Sequence, residues 1–294
     1  MAKTIMIQGT MSSAGKSLVC TGLCRVFQQD GYKVAPFKSQ NMTSNVFITP
    51  DGLIMSRIQA VQAEAASITA SVLMNPILYR PATSKGSELI LNGVSRGLTN
   101  AVDYLELRQG MASEVMTAFT ELAANYDIIV IEGAGSPAEI NLKQDDIVNM
   151  GLAKMCDSPV LLVGDISCGG IFAQIVGTLV LLEADERERV KGSIVNKFRG
   201  DIELFRTGIT MLEEKSGKPV VGVLPYLDVC LEAEDSFTRT PQVKSEGLAS
   251  TSNSVAGSNV DSAAFRDSQY NLVAAAIREH LNLPYIYQVL EKSV

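Results

Sequence analysis

The chain has 294 residues, 46% hydrophobic and 19% charged, with a formal net charge of -7. That length and mix allow one or two globular domains with ample material for a buried core. The acidic balance argues against a nucleic acid or an anionic membrane as partner, and no apolar run reaches the roughly 18 residues of a membrane-spanning helix.

The opening Met1-Ala2-Lys3-Thr4-Ile5 enters a strand at once with no leader, so the cytoplasm is the expected compartment. The strand Thr4–Gln8 runs into Gly9-Thr10-Met11-Ser12-Ser13-Ala14-Gly15-Lys16-Ser17, which reads as a phosphate-binding loop. Loop N–H groups wrap phosphate oxygens, and Gly9 and Gly15 remove Cβ atoms that would block the approach. Lys16 reaches the β- and γ-phosphates, and Ser17 offers its hydroxyl to Mg²⁺. Thr10, Ser13 and Ala14 complete the expected cradle. The following helix points its positive end at the same anion, with Val19, Leu23, Val26 and Phe27 on one face. The common Gly-x-x-x-x-Gly-Lys pattern would start at Thr10; here the glycine comes one residue earlier, so the loop is longer by one. Cys20 and Cys24 share this helix and read as core packing rather than metal ligands.

A second strand, 33–37, leads into Lys38-Ser39-Gln40-Asn41-Met42-Thr43-Ser44-Asn45, rich in amides and uncharged apart from Lys38. Thr49-Pro50-Asp51-Gly52 is a turn signal, and a helix over 56–70 carries Arg57, Gln59, Gln62 and Glu64. Lys38, Gln40, Asn41, Asp51 and Arg57 together suggest a substrate-facing surface beside the loop. Met74-Asn75-Pro76 and Arg80-Pro81 then restrict the backbone twice. A helix over 103–125 precedes the strand 127–132, which ends on Glu132 before Gly133-Ala134-Gly135. A carboxylate there can hold Mg²⁺ directly or through water, opposite Ser17. Glu139, on the next loop, either faces a substrate or solvates the loop. Helices over 145–156, 171–184 and 201–216 alternate with strands 159–165, 192–196 and 219–224. Asn196 closes one of these strands, and its amide suits the N6/N7 edge of adenine.

These strands are continuous apolar runs, as expected for parallel strands covered on both faces. The alternation implies an α/β fold: an open, doubly wound, mostly parallel sheet with ligands at the carboxyl ends of its strands. Residues 237–264, rich in Ser, Thr, Asn, Ala and Gly, read as a flexible linker. Beyond it, Tyr270, Val273, Ile277 and Leu281 give one amphipathic helix, followed by the apolar run Tyr285–Leu290. This tail is expected to dock on the main body or on a partner. Five scattered cysteines make no disulfide framework, and the single His280 rules out a histidine-rich metal site.

Several stretches resemble the cobyric acid synthase family of cobalamin biosynthesis: GTMSSAGKS (9–17), FKSQNMTSN (37–45), TPDGLIMSRIQAVQAEAA (49–66), MNPILYRPATSKGSELILNG (74–93), IEGAGSPAEINL (131–142), DIVNMGLA (146–153), GGIFAQIVGTL (169–179) and VNKFRGD (195–201). The resemblance implies a P-loop, dethiobiotin-synthetase-like fold using ATP and Mg²⁺. It implies amidation of the b, d, e and g carboxylates of adenosylcobyrinic acid a,c-diamide through acyl phosphates, with Lys16 and Glu132 in the catalytic set. Lys38, Arg57, Arg80 and Lys85 become candidates for contacts to anionic corrinoid side chains. The family's glutaminase domain would follow residue 236; instead comes the linker, and then REHLNLPYIY (278–287), which resembles the family's extreme C-terminus. The expected organisation is a synthetase domain over 1–236, a linker over 237–264 and a tail over 265–294. Ammonia would come from solution or from a separate glutaminase subunit, and a homodimer stays open. Ser167-Cys168-Gly169-Gly170 stands where the family has Asp-Arg-Gly-Gly. A nucleotide-binding member with impaired catalysis, or a ligase for another carboxylate, are the alternatives.

Overall fold

The structure is a computed structural model that describes residues 2–83, 86–99, 101–231 and 262–291, without the side chains of 83 and 101–109. Lys85 and residues 237–261 of the expected linker lie outside the described residues. The strands are β1 (Lys3–Gly9), β2 (Val34–Phe37), β3 (Gln40–Met42), β4 (Val46–Ile48), β5 (Ile54–Ser56), β6 (Ile77–Thr83), β7 (Gly86–Leu91), β8 (Val94–Thr99), β9 (Ile128–Glu132), β10 (Val160–Asp165), β11 (Val190–Phe198) and β12 (Val220–Pro225). The helices are α1 (Lys16–Gln29), α2 (Arg57–Ala65), α3 (Ala101–Ala123), α4 (Met150–Met155), α5 (Ile171–Leu181), α6 (Ala184–Arg189), α7 (Ile202–Ser216), α8 (Ala263–His280) and α9 (Leu283–Glu291).

The six expected strands form one parallel sheet in the order β12-β11-β10-β1-β9-β2. Its two faces are separate cores. Ile5, Ile7, Val130, Leu161, Val163 and Ile194 face α1, α8 and α9. Met6, Ile129, Ile131, Val160, Leu162 and Val195 face the other way, among side chains of α3, α4, α5 and α7. Successive residues of a strand point to opposite faces, so a sheet covered on both must be apolar at every position. Strand order reverses beside β1, and this switch point is where a crevice opens at the carboxyl ends. The loop after β1, Glu132 at the end of β9, Asp165 at the end of β10 and Asn196 near the end of β11 all lie at this edge.

A second sheet, β3-β6-β7-β8, goes beyond the sequence reading. Its signal was the Asn92-Gly93 pair between Leu91 and Val94, with φ of 49 and 80. Two consecutive left-handed residues make the turn whose twist matches a tight hairpin. β8 is exposed from Val94 to Leu98, so it lacks the apolar run that marked the other strands. Helices also end earlier than expected: α2 stops at Ala65 rather than 70, and the 171–184 segment breaks at Leu182 before α6. The run Tyr285–Leu290 is helical, in α9. The tail docks on the main body. Val273 and Ile277 pack with Leu23, Val26 and Ile5, and Leu281 bridges to Gly222 of β12. Among the described residues no helix is long and apolar enough to cross a membrane.

Candidate nucleotide and metal site

The loop after β1 is held at several points. Thr10 N–H donates to Val163 O at 2.9 Å, and Thr10 Oγ1 to Gln174 Oε1 at 3.0 Å. The chain turns through Ser13 (φ 59) and Gly15 (φ 102) before α1 begins at Lys16. Both lie in the left-handed region, where glycine is at ease and serine is not. A Cβ on Gly15 would fall 1.9 Å from Asn196 Nδ2, so this position must be glycine. Lys16 is buried and lies across the loop, with Nζ donating to Met11 O at 3.3 Å and Gly135 O at 3.1 Å. Glu139 folds back over Gly135, close enough that a Cβ there would lie 3.0 Å from its Oε1.

Asn196 and Lys197 brace the far side of the loop. Asn196 Nδ2 donates to Ala14 O at 2.9 Å, while Lys197 Nζ donates to Ser13 O and to Asp165 Oδ2, both at 2.7 Å. One of the two N–H groups of the Asn196 amide is thus engaged by the loop backbone, which fixes the side chain against the loop. Burial alone would raise the Asp165 pKa; hydrogen bonds from Lys197 and Ser167 outweigh it and hold the carboxyl below its usual range. Gln174 clamps the same corner, accepting from Asp165 N–H at 3.1 Å and donating to Asp165 O and Gly169 O, each at 3.0 Å.

Glu132 is fully buried. Its Oε1 accepts from Ser17 Oγ at 2.8 Å and from Lys38 Nζ at 2.9 Å, and its Oε2 accepts from Gln62 Nε2. Burial pushes the carboxyl pKa up, but the Lys38 charge and the hydrogen bonds from Lys38, Gln62 and Ser17 more than offset it, so the group stays anionic. A hydroxyl and a carboxylate in contact beneath the loop suit Mg²⁺, which takes one or two carboxylates and keeps its remaining places for phosphate and water. Among the described residues no three His, Cys, Asp or Glu side chains cluster as a metal cage, and Mg²⁺ requires none. Burial and the Glu132 charge push the Cys20 thiol well up, in keeping with inert core packing.

The other expected residues scatter. Lys38 is 1% exposed and paired with Glu132, so it serves the carboxylate rather than an open substrate surface. Asn41 is buried, its Nδ2 donating to Ser56 Oγ at 2.8 Å and its Oδ1 accepting from Met42 N–H at 2.8 Å. Asn41 thereby ties β3 to β5 and α2, and Asn75 Nδ2 donates to Lys38 O and Ile77 O beside it. Gln40 is half-buried on β3. Asp51 accepts from Thr49 Oγ1 in the turn between β4 and β5. Arg57 stacks 5.4 Å from the centre of the Phe47 ring, and Arg80 pairs with Glu88 across the β6–β7 hairpin. Cys168 is exposed after β10, whereas His280 ends α8 beside β12, so the two do not form a thiol–imidazole pair. Gln62 joins the site without a sequence motif of its own; its one signal is its place three residues after Gln59 on a helix that also carries Ile58, Val61 and Ala65.

Residues 3–234 match the family described as "AAA domain". A cobyric acid synthase from Lachnoclostridium phytofermentans is 59% identical over 242 residues, covering 81% of this chain and 47% of that protein. One from Ruminiclostridium cellulolyticum is 56% identical over 238 residues, covering 81% and 46%. The chain thus spans about half the length of these relatives. Among solved structures, the signal recognition particle receptor FtsY from Elizabethkingia anophelis with GDP aligns at a TM-score of 0.42 and 17% identity, over 76% of this chain and 57% of that one, too little to bear on function.

Proposed function

We propose, for a chain that belongs to the AAA domain family across residues 3–234, an ATP-dependent amide ligase acting on corrinoid side-chain carboxylates, as the names of its cobyric acid synthase relatives suggest. The observation that carries the phosphoryl chemistry is the contact of Ser17 with Glu132 beneath a loop spanned by Lys16. In this reading the loop N–H groups and Lys16 hold the triphosphate, and Ser17 with Glu132 holds Mg²⁺. The metal supplies charge neutralisation for the transferring phosphoryl group. A substrate carboxylate oxygen attacks the γ-phosphorus and ADP leaves. Ammonia then attacks the acyl carbon, inorganic phosphate leaves, and a proton is lost as the amide forms. Phosphoryl transfer needs mainly in-line positioning and charge stabilisation, and the rigid ends of β1 and β9 suit that task.

Residues 1–236 are the proposed synthetase unit, with the tail as part of its body, and ammonia is drawn from solution or from a separate glutaminase. The b, d, e and g carboxylates of the a,c-diamide are the proposed targets. The test is incubation with ATP, Mg²⁺, the diamide and ammonium, reading ADP and amide by chromatography. Amide and ADP in equal amounts support the proposal. Binding of Mg·ATP with no corrinoid-stimulated turnover favours a nucleotide-binding member that does not catalyse. Amide formed from glutamine by the pure protein overturns the external ammonia source.

A further inference from the structure

Helix α8 grips both helices that carry the site. Arg25 on α1 is only 8% exposed. It donates through Nη2 to Asp267 Oδ1 at 2.5 Å and through Nε to Asn271 Oδ1 at 2.9 Å, both on α8. Through Nη1 it donates to Ala65 O at 3.4 Å, at the end of α2, and to Ser67 Oγ at 3.2 Å. Glu64 on α2 accepts from Arg266 Nε at 2.9 Å and from Tyr270 Oη at 3.2 Å. Gln62 on the same helix donates to Glu132. Two residues along an α-helix turn about 200°, so Gln62 and Glu64 leave α2 on opposite sides. One side orients the site carboxylate and the other is held by the tail. The approach of α8 to α1 is close: a Cβ on Gly22 would lie 2.7 Å from Ile277 Cγ1 and 2.8 Å from Val273 Cγ1. Burial and the Glu64 charge push the Tyr270 hydroxyl pKa up, which keeps it a donor.

We infer that α8 is a positioning strap for the metal site, fixing α2 through Glu64 so that Gln62 orients Glu132, and fixing α1 through Arg25 so that Ser17 faces the same carboxylate. Arg25, Glu64, Arg266 and Tyr270 are then positioning residues that act through Gln62, Ser17 and Glu132. The inference rests on the reading that Ser17 and Glu132 hold Mg²⁺ with ATP. A covering helix alone would not need the α2 attachment. The strap has a second anchor that makes no bond to α2, where Arg278 donates through Nη2 to Asp30 Oδ1 at 2.6 Å and to Val26 O at 3.3 Å. That anchor is the control.

The experiment measures ATP binding by calorimetry with and without Mg²⁺, together with Tm, on the full chain and its variants Tyr270→Phe, Glu64→Gln and Arg278→Ala. Loss of one hydrogen bond in the α2 anchor should weaken Mg·ATP binding about fivefold and leave Mg²⁺-free ATP binding unchanged. Arg278→Ala should lower Tm and leave Mg·ATP binding within about twofold, since its bonds reach the C-terminal end of α1 and none reaches α2. The inference is overturned if Tyr270→Phe and Glu64→Gln bind Mg·ATP as the parent does. It is equally overturned if all three variants weaken binding in proportion to their loss of Tm. A parent chain that binds ATP with no Mg²⁺ dependence refutes the metal reading itself, and the strap's role falls with it; that result is distinct from a parent that depends on Mg²⁺ and variants that match it.

Discussion

Replacing Lys38 with methionine removes the ammonium paired with Glu132 while keeping most of the side chain's volume. The two groups are 2.9 Å apart, with side chains 1% and 0% exposed. Breaking a buried pair from one side costs about 3–5 kcal/mol, because the remaining charge is left uncompensated. Ser17 and Gln62 still donate to the carboxylate, which places the expected loss near the lower end, about 3 kcal/mol at alkaline pH. In the parent chain the Glu132 pKa is depressed, burial being outweighed by Lys38 and the hydrogen bonds. Stability from a depressed carboxyl is in place above its unfolded pKa and is lost only as pH falls through the lower folded value. The parent's Glu132 therefore adds no pH dependence near neutrality. In Lys38→Met, burial opposes only two hydrogen bonds, and the pKa moves up. A raised carboxyl stabilises below its unfolded pKa, and that contribution is lost as pH rises through the folded value. The variant's deficit should therefore be largest near pH 8 and shrink toward pH 6, by at most about 1.4 kcal/mol per pH unit, the limit for one proton. Urea unfolding followed by far-UV circular dichroism is the assay, since the chain has no tryptophan. A deficit that stays constant across this range, or is under about 1 kcal/mol, would refute the argument that Lys38 compensates a buried anion. Lys38→Met with Glu132→Gln should recover most of the loss at the alkaline end.

Gly15→Ala meets both a φ of 102 and a contact 1.9 Å from Asn196 Nδ2. It should cost about 1–3 kcal/mol by thermal unfolding and abolish measurable ATP binding; a variant that binds ATP like the parent argues against the loop as the nucleotide site. Asn196→Ala frees Ala14 O and should weaken ATP and GTP binding alike, by about fivefold for a lost hydrogen bond. Loss of the discrimination between ATP and GTP would instead support a base-reading role. Thiol labelling of the native protein should modify the exposed Cys168 and Cys230 quickly and spare the buried Cys20 and Cys24 until unfolding. Burial also holds the Cys156 thiol up, at a pKa of about 12, so it should label slowly at neutral pH, and fast labelling there would show a looser α4.

Much of the sheet was legible because strands covered on both faces cannot hide: Ile5–Ile7, Ile128–Ile131 and Val160–Val163 are apolar at every position. The loop was legible for a related reason. Phosphate chemistry needs glycine, lysine and a hydroxyl at fixed spacing, and local sequence records such spacing directly. The strand-end positions of Glu132 and Asn196 followed from the alternation of elements. The β6–β7–β8 sheet escaped because β8 is exposed and β7 only partly buried, although Asn92-Gly93 marked its turn.

By itself the sequence determined an α/β sheet with a phosphate loop at its switch point, a carboxylate on a neighbouring strand and an amphipathic tail. Only the tertiary structure decided what each polar side chain does. Lys38 lies 94 residues from Glu132, Gln62 lies 70 from it, and Arg25 lies 242 from Asp267. No periodicity records such pairs, because the partner of a buried charge is chosen by which elements the fold stacks together. A polar residue leaves the same mark in sequence whether it faces water or closes a buried bond. That is why Lys38, Asn41 and Asn196 read as ligand contacts while the structure adds the internal bonds each makes, to Glu132, Ser56 and Ala14.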